Sequence, residues 1–210
     1  NGVNGVVTGA GKYKYGETAI ISVKPNEGYH LVSWSDGETA MEREIVVVEN
    51  WDLTAQNEIN VYTLELFAEN GQIDGGSSGV YDHGTEMTIT ALPNEGYHFV
   101  GWSDGVMEAV RTITITSDIA LTAIFEINVY SVVVSGQNCI IEGGGNFEHG
   151  TEIEISVTPN EGYHFIKWSD GDVSMERRFI IVSNLSLKAE IAINVYKLNL
   201  LVENGIVVGA

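Results

Sequence analysis

The sequence has little cysteine, proline and positive charge. Its one cysteine, Cys139, excludes an intramolecular disulfide and a zinc site built from cysteines. Lysine and arginine number 10 against 29 aspartates and glutamates, which gives a formal charge of −19. That charge disfavours nucleic acid, whose binding depends on neutralised phosphates, and anionic membranes. No apolar run approaches the ~20 residues of a membrane span, so we expect no membrane insertion.

The three prolines mark an internal repeat. Each opens a copy of Pro-Asn-Glu-Gly-Tyr-His that continues to Trp-Ser-Asp-Gly, at residues 25–37, 93–105 and 159–171. A second motif, Ile-Asn-Val-Tyr, recurs with the same offsets of 68 and then 66 residues. A fixed period of this kind predicts a tandem array of one small module. A module of about 66 residues buries only ~60% of its unfolded surface, so neighbouring modules of the chain should stabilise one another.

Strict alternation of apolar and polar residues within each copy predicts β-strands, for example at 85–91 and 111–116. Asn-Glu-Gly and Ser-Asp-Gly between strands favour tight turns. Helix signals are almost absent. The fold class expected is mainly β, a tandem array of small β-grasp-like or β-sandwich modules of about 66 residues with little helix.

The last strand of each copy changes its apolar phase without a Gly or Pro. In the second copy the apolar set is odd-numbered from Leu121 to Val129 and even-numbered from Tyr130 onward. This change predicts one extended segment that serves two cores, with a bend or bulge where the faces exchange. The modules would then be joined without a flexible linker. The predicted junction residues are Asn60, Val61, Tyr62, Asn128, Val129, Tyr130, Asn194, Val195 and Tyr196.

This phasing predicts modules at 1–60, 61–128 and 129–194. The first lacks an opening strand by this pattern, and 195–210 read as the opening strand and turn of a fourth module. Two interpretations stay open. The sequence is an excerpt of a longer repeating protein, or it is a subunit whose tail completes the head of the next copy by strand addition in a filament.

The repeated aromatic residues are interpreted first as core. A tryptophan ring fills much of a small core, although three repeated tryptophans could also form a sugar-stacking platform. Simple alternation cannot bury both the Tyr/Phe set and the His/Trp set unless a bulge intervenes. The predicted repeat core consists of Tyr29, Trp34, Tyr97, Phe99, Trp102, Tyr163, Phe165 and Trp168.

Other candidate sites favour structural roles. One histidine per copy (His30, His98, His164) does not make a metal site, and a hydrogen bond to nearby backbone is the favoured role. Calcium needs several carboxylates in one loop, so the aspartates of the Ser-Asp-Gly turns favour turn formation. His83 and His149 occupy a turn where the first copy has Tyr15, so no role is assigned to them. No cofactor site and no catalytic motif stand out, so an enzyme is not expected.

The whole pattern resembles a known family. Gly84-Thr85-Glu86, then Gly96-Tyr97-His98-Phe99 with Trp102, then Leu121-Thr122-Ala123-Ile124-Phe125 is similar to the divergent internalin B B-repeat domain, related to the Listeria–Bacteroides repeat. The first copy departs from it, with Leu31 and Asn57 in place of the two phenylalanines. The resemblance implies a β-rich tandem module on secreted or surface-anchored bacterial proteins, with adhesion or spacing as its role and no catalysis.

Two functions therefore compete. The first is a rigid, non-catalytic stalk on the outside of a bacterial cell. The second is an adhesin module that contacts a glycan or a host or cell-surface protein through its exposed loops at 75–80 or 106–110. An exposed ring at Trp102 would favour binding.

Overall fold

A computed structural model describes residues 4–201 and 203–205. In these residues the chain is all β, without a helix, and the predicted fold class is confirmed. They form two compact units. One contains the residues up to Asn94 together with His98–Glu126, and the other contains Glu95–Tyr97 and the residues from Ile127 onward.

The strands recur in the same order in each repeat. The first repeat contains β1 Gly5–Thr8, β2 Thr18–Pro25, β3 Tyr29–Trp34, β4 Glu42–Val46 and β5 Ala55–Ile59. The second contains β6 Val61–Ala68, β7 Gly71–Asp74, β8 Gly79–Asp82, β9 Thr85–Pro93, β10 Tyr97–Trp102, β11 Val110–Ile115 and β12 Ile119–Ile127. The third contains β13 Val129–Ser135, β14 Cys139–Glu142, β15 Gly145–Glu148, β16 Glu152–Pro159, β17 Tyr163–Trp168, β18 Glu176–Ile180 and β19 Leu185–Ile193.

Each repeat has an antiparallel three-stranded sheet: β1-β2-β4, β7-β9-β11 or β14-β16-β18. The second sheet has four strands in the later repeats, in the orders β10-β12-β6-β8 and β15-β13-β19-β17. Its central pairing is parallel, because the opening strand of the repeat lies beside the closing strand. In the first repeat this sheet consists of β3 and β5 alone among the described residues.

A turn of conserved geometry within the chain precedes the first strand of each three-stranded sheet. Asn4, Asn70 and Asn138 have φ angles of 62°, 63° and 58° there. Asparagine is among the few non-glycine residues that adopt this left-handed conformation readily. An asparagine therefore turns the backbone at the same place in all three repeats.

The inward faces of the two sheets enclose a separate core in each repeat. The buried set of the first is Ala19, Ile21, Val23, Trp34 and Ala55. That of the second includes Leu64, Ile89, Ala91, Trp102, Ile113, Ile115, Leu121, Ala123 and Phe125. That of the third is Val132, Ile153, Ile155, Val157, Trp168, Ile181, Leu187 and Ala189.

A β-bulge explains how the aromatic strand directs both its phenylalanine and its tryptophan toward the core. The β17–β19 register shifts between Phe165 and Lys167, and the β3–β5 register shifts at the corresponding step. The extra residue, Ile166, points outward, so Phe165 and Trp168 lie on the same face with ring centroids 5.6 Å apart. A bulge of this kind re-aims the side chains beyond it. The histidine before Phe165 is exposed.

The strand that joins repeats changes face at its asparagine. In the first unit β5 ends at Ile59 and β6 begins at Val61, so Asn60 is the whole connection. Ala55 is buried on one side of it and Leu64 on the other. The expected inward position of Val61 is wrong: it is 57% exposed, and its counterpart Val129 is also exposed. The faces therefore exchange at the asparagine, one residue earlier than the apolar pattern indicates. The module limits at 60, 128 and 194 stay predictions.

Candidate functional site

The connection between β5 and β6 is a network centred on Asn60. Its backbone N–H donates to the carbonyl of Gly28 at 2.7 Å, and its own carbonyl accepts from the N–H of His83 at 2.8 Å. Its side-chain Oδ1 lies 2.8 Å from Nδ1 of His30. One residue thus ties the Pro-Asn-Glu-Gly turn of the first repeat to the β8–β9 turn of the second.

The backbone of Gly28 packs directly against the ring of His83 in this network. Gly28 is buried, with φ +76°, and a Cβ placed on it would lie 2.2 Å from Cδ2 of the His83 ring. The ring of Tyr62 stands 5.9 Å from that of His83. Only glycine accepts both this φ and this contact. The expectation that His83 has no role is wrong, because its ring packs against Gly28 and beside Tyr62 at the junction.

The second unit repeats the backbone bonds of the asparagine and the contact between glycine and histidine. Asn128 donates to the carbonyl of Gly96 and accepts from the N–H of His149, both at 2.8 Å. A Cβ on Gly96 would lie 2.4 Å from His149 Cδ2, and the ring of Tyr130 stands 6.0 Å from the His149 ring. His149 therefore also has a packing role that the sequence analysis missed. The available signal was its position directly before Gly-Thr, which His83 shares.

The third copy of the motif has the asparagine bonds without the stacked histidine. Asn194 donates to the carbonyl of Gly162 at 2.8 Å, and its Oδ1 lies 2.8 Å from His164 Nδ1. Gly162 is exposed and a Cβ there would meet nothing within 4 Å. Val195 and Tyr196, the other predicted junction residues here, are 89% and 84% exposed. The His30 and His164 bonds go to an asparagine side chain, whereas the sequence analysis favoured nearby backbone.

The Trp-Ser-Asp-Gly turn forms a second repeated constellation. In the second repeat Trp102 is buried and its indole N–H donates to the carbonyl of Glu108 at 3.0 Å. The hydroxyl of Ser103 accepts from the N–H of Thr122 at 3.0 Å, which attaches the turn to β12. The first and third repeats make the matching bonds. The motif therefore holds the turn after the aromatic strand in place against the rest of the repeat.

Each aspartate of this turn pairs with an arginine seven residues later, which the sequence analysis did not identify. The pairs are Asp36 with Arg43, Asp104 with Arg111, and Asp170 with Arg177. The hydrogen bond from each arginine holds the pKa of its aspartate below the ordinary value. The Arg43 and Arg111 guanidinium groups also lie over the Trp34 and Trp102 rings. The constant offset of seven was the missed signal.

The remaining predicted core residues are placed as follows. Trp34 and Trp168 are 1% and 0% exposed, so none of the three repeated indoles offers a face to a sugar. The partly buried members are Tyr29, Tyr97, Phe99, Tyr163 and Phe165. The unrepeated Trp51 is 46% exposed.

The described residues contain no cluster of three or more His, Cys, Asp or Glu side chains suited to a metal ion. Cys139 is a free thiol, and burial raises its pKa. Within the same residues, no helix has the length and apolarity that crossing a membrane would require.

These features define a class: a tandem repeat protein of small β-modules, in which the closing strands β5 and β12 are each followed, after one asparagine, by the opening strand of the next repeat. The comparison with family models then gives the family. The divergent InlB B-repeat domain matches residues 1–59, 62–129 and 130–190, and the chain belongs to this family. The resemblance found in the sequence is confirmed. The family is one of bacterial surface proteins, and its repeats are typically non-catalytic.

Two relatives come from Evansella cellulosilytica. A "Putative membrane protein" is 30% identical over 190 residues, which cover 81% of this chain and 27% of that protein. A "Putative Gly-rich membrane protein" is 30% identical over 209 residues, 91% of this chain and 24% of that protein. The chain thus spans about a quarter of the length of these relatives. Among solved structures, the Bacillus anthracis TIE protein aligns over 84% of this chain and 44% of its own, at 9% identity and a TM-score of 0.35.

Proposed function

We propose that this chain is a non-catalytic spacer on the outside of a bacterial cell, and that it supports adhesion by holding another domain away from the surface. The observation that carries the proposal is the Asn60 junction. A single residue connects β5 to β6, and both its backbone groups and its side chain are bonded. A one-residue connection whose backbone and side-chain groups are hydrogen-bonded keeps the two repeats that it joins at a fixed distance.

The chemistry of the turns supports the same role. The three repeated indoles are buried, and the repeated aspartates are paired with arginines. The side chains that recur are thus used in holding each module together. The acidic charge of −19 favours a surface that stays hydrated and repels its neighbours. Membership of a family of surface proteins accords with an extracellular location.

The proposal is tested by the distance between the first two repeats. The exposed Glu44 and Thr114 are each replaced by a cysteine that carries a spin label, in a Cys139→Ser background. Pulsed electron paramagnetic resonance then gives the distribution of distances between the two labels. We expect a narrow distribution. A matched variant with a short Gly/Ser insertion after Asn60 should give a broad one. A native distribution as broad as that of the insertion variant would refute the spacer.

A further inference from the structure

The edge strand β11 of the second repeat has a row of backbone groups that its own sheet does not use. In the part of the chain that the structure describes, β11 lies at one side of its sheet and pairs with β9 alone. The N–H of Ala91 donates to the carbonyl of Ala109 at 2.9 Å. Because bonded residues alternate in an antiparallel pair, the N–H and C=O groups of Val110, Thr112 and Thr114 point away from β9.

The corresponding edges of the other two repeats carry charged side chains. The residues that replace Val110 and Thr112 are Glu42 and Glu44 in β4, and Glu176 and Arg178 in β18. Charged side chains on an edge strand oppose its pairing with another chain. On β11 the exposed face has valine and threonine, which are common in strands. The edge of β11 therefore lacks the protection that β4 and β18 have.

A groove of about 480 Å³ lies beside the same edge. Its walls come from β11 and from the start of β12, and its apolar lining includes Ile113, Ile119 and Leu121. Side chains of a strand point alternately to its two faces. A strand added to β11 would thus place every second side chain in the groove and the others beside Thr112 and Thr114. Peptide recognition by strand addition uses this combination of main-chain bonds and alternate side-chain pockets.

Two exposed carboxylates, Asp104 and Asp118, also line the groove. Asp104 is bonded to Arg111 at the start of β11, and Asp118 lies three residues beyond the end of that strand. Asp118 also accepts from the N–H of Thr63. Since a carboxylate has about four acceptor sites, both keep capacity for a cation.

The charge of the second repeat as a whole has the same sign. Arg111 is the only lysine or arginine in residues 61–128, against ten aspartates and glutamates. That arginine is already bonded to Asp104 and lies over the Trp102 ring. The groove therefore suits a cationic partner.

We propose that an extended segment of a partner protein adds to β11 as a strand. Its alternate apolar side chains enter the groove, and a lysine or arginine on either side of them reaches Asp104 and Asp118. Charge complementarity favours this occupant over a second copy of the chain, whose own β11 would bring the same two carboxylates to the contact. This goes beyond the spacer, which needs only the junctions within one chain. Failure of either proposal leaves the other intact.

The first test locates the contact. A short synthetic peptide, in which valine and threonine alternate between two terminal lysines, is added to the full 210-residue chain, and amide hydrogen exchange is followed by NMR. We expect slower exchange at the N–H groups of Val110, Thr112 and Thr114, because the added strand accepts from them. The corresponding amides of β4 and β18 should be unaffected. Protection of all three edges, or of none, overturns the proposal.

The second test blocks the edge. Thr112→Pro removes an N–H that points away from β9, a position at which an edge strand tolerates proline. We expect the affinity for the lysine peptide, measured by calorimetry, to fall on the order of 10-fold or more, since a main-chain bond is lost and the ring stands in its place. Glu44→Pro makes the same change in the first repeat and should leave the affinity unchanged. Equal affinities of the two variants overturn the proposal.

The third test removes charge without disturbing the fold. Asn184 holds the position of Asp118 in the third repeat and accepts the matching bond, from the N–H of Ser131 at 2.8 Å. Asp118→Asn should therefore keep the bond to Thr63 and weaken peptide binding by about 2- to 5-fold. Asp74→Asn, on the opposite edge strand β7, is the matched control and should change nothing.

The nature of the partner is tested with a second peptide that has terminal glutamates in place of the lysines. We expect it to bind more weakly than the lysine peptide. Equal binding of the two peptides overturns the proposal of a cationic partner. Protection of the β11 amides that grows with protein concentration in the absence of peptide overturns it too, and assigns the edge to a second copy of the chain.

Discussion

In the second repeat, Nη1 of Arg111 donates to Oδ1 of Asp104 at 2.8 Å while its guanidinium lies over the Trp102 ring. The pair links β11 to the turn after β10, and the Asp104 carboxylate stays partly exposed. Its pKa is lowered chiefly by that hydrogen bond. Stability that depends on this pair must therefore depend on pH.

Asp104→Asn is expected to lower the free energy of unfolding at neutral pH by less than about 1 kcal/mol, because the pair is partly exposed and screened. The folded-state pKa lies below the ordinary 3.8, so the ionised form contributes fully above that value. The contribution disappears as the pH falls through the depressed pKa. Urea unfolding from pH 7 to pH 2 should thus show the native and variant curves converging in acid. A constant difference across this range would contradict the assignment.

Gly28→Ala is expected to destabilise the first unit strongly. The left-handed backbone costs about 1–2 kcal/mol for a residue with a Cβ, and the contact with His83 adds about 1–3 kcal/mol of overpacking. Gly162→Ala is the matched control, because its φ is +83° and a Cβ there meets nothing within 4 Å. Thermal unfolding should show the larger loss for Gly28→Ala. In a His83→Ala background the two losses should become similar.

The Asn60–His30 hydrogen bond should show as coupling in a double-mutant cycle. Asn60→Ala and His30→Ala each remove one partner, and the interaction free energy is expected to be about 0.5–1.5 kcal/mol. Urea unfolding of the native chain, both single variants and the double variant gives this value. Additive effects would show that the bond contributes nothing to the stability of the junction.

Gly71→Cys, which copies the third repeat into the second, is expected to cost about 1–3 kcal/mol by overpacking. A Cβ at Gly71 would lie 2.5 Å from the Phe125 ring. The third repeat accommodates Cys139 because Ile191 stands at the position of Phe125, and both pack on its core. Adding Phe125→Ile to Gly71→Cys should therefore recover part of the loss. No recovery in chemical unfolding would mean that the backbone near Leu92, and not the ring, excludes the side chain.

Periodic features were predictable from the sequence because they depend on neighbours along the chain. Alternation predicted strands at 85–91 and 111–116. The first lies within β9, and the second overlaps β11. The conflict between Phe165 and Trp168 indicated that a bulge was needed, since alternation alone sends them to opposite faces. The identity of the bulged residue was not available, because it depends on the register with β19.

Features that join distant parts of the chain were missed. His83 looked like a variable turn residue, because its role depends on a glycine 55 positions earlier that only the folded junction brings to it. Arg111 received no role from the sequence, because its contact with Trp102 exists only in the folded repeat. The aspartate–arginine pattern was present as a constant spacing of seven residues, but spacing alone does not say which side chains meet.

The sequence by itself determined the repeat, its all-β character and the family, because each of these follows from a motif recurring at fixed intervals. Only the tertiary structure decided that the opening and closing strands of a repeat run parallel and that the faces exchange at Asn60 and not at the following valine. The physical reason is that apolar alternation indicates which residues of a strand share its buried face, whereas pairing and packing depend on which strand lies beside that strand in space.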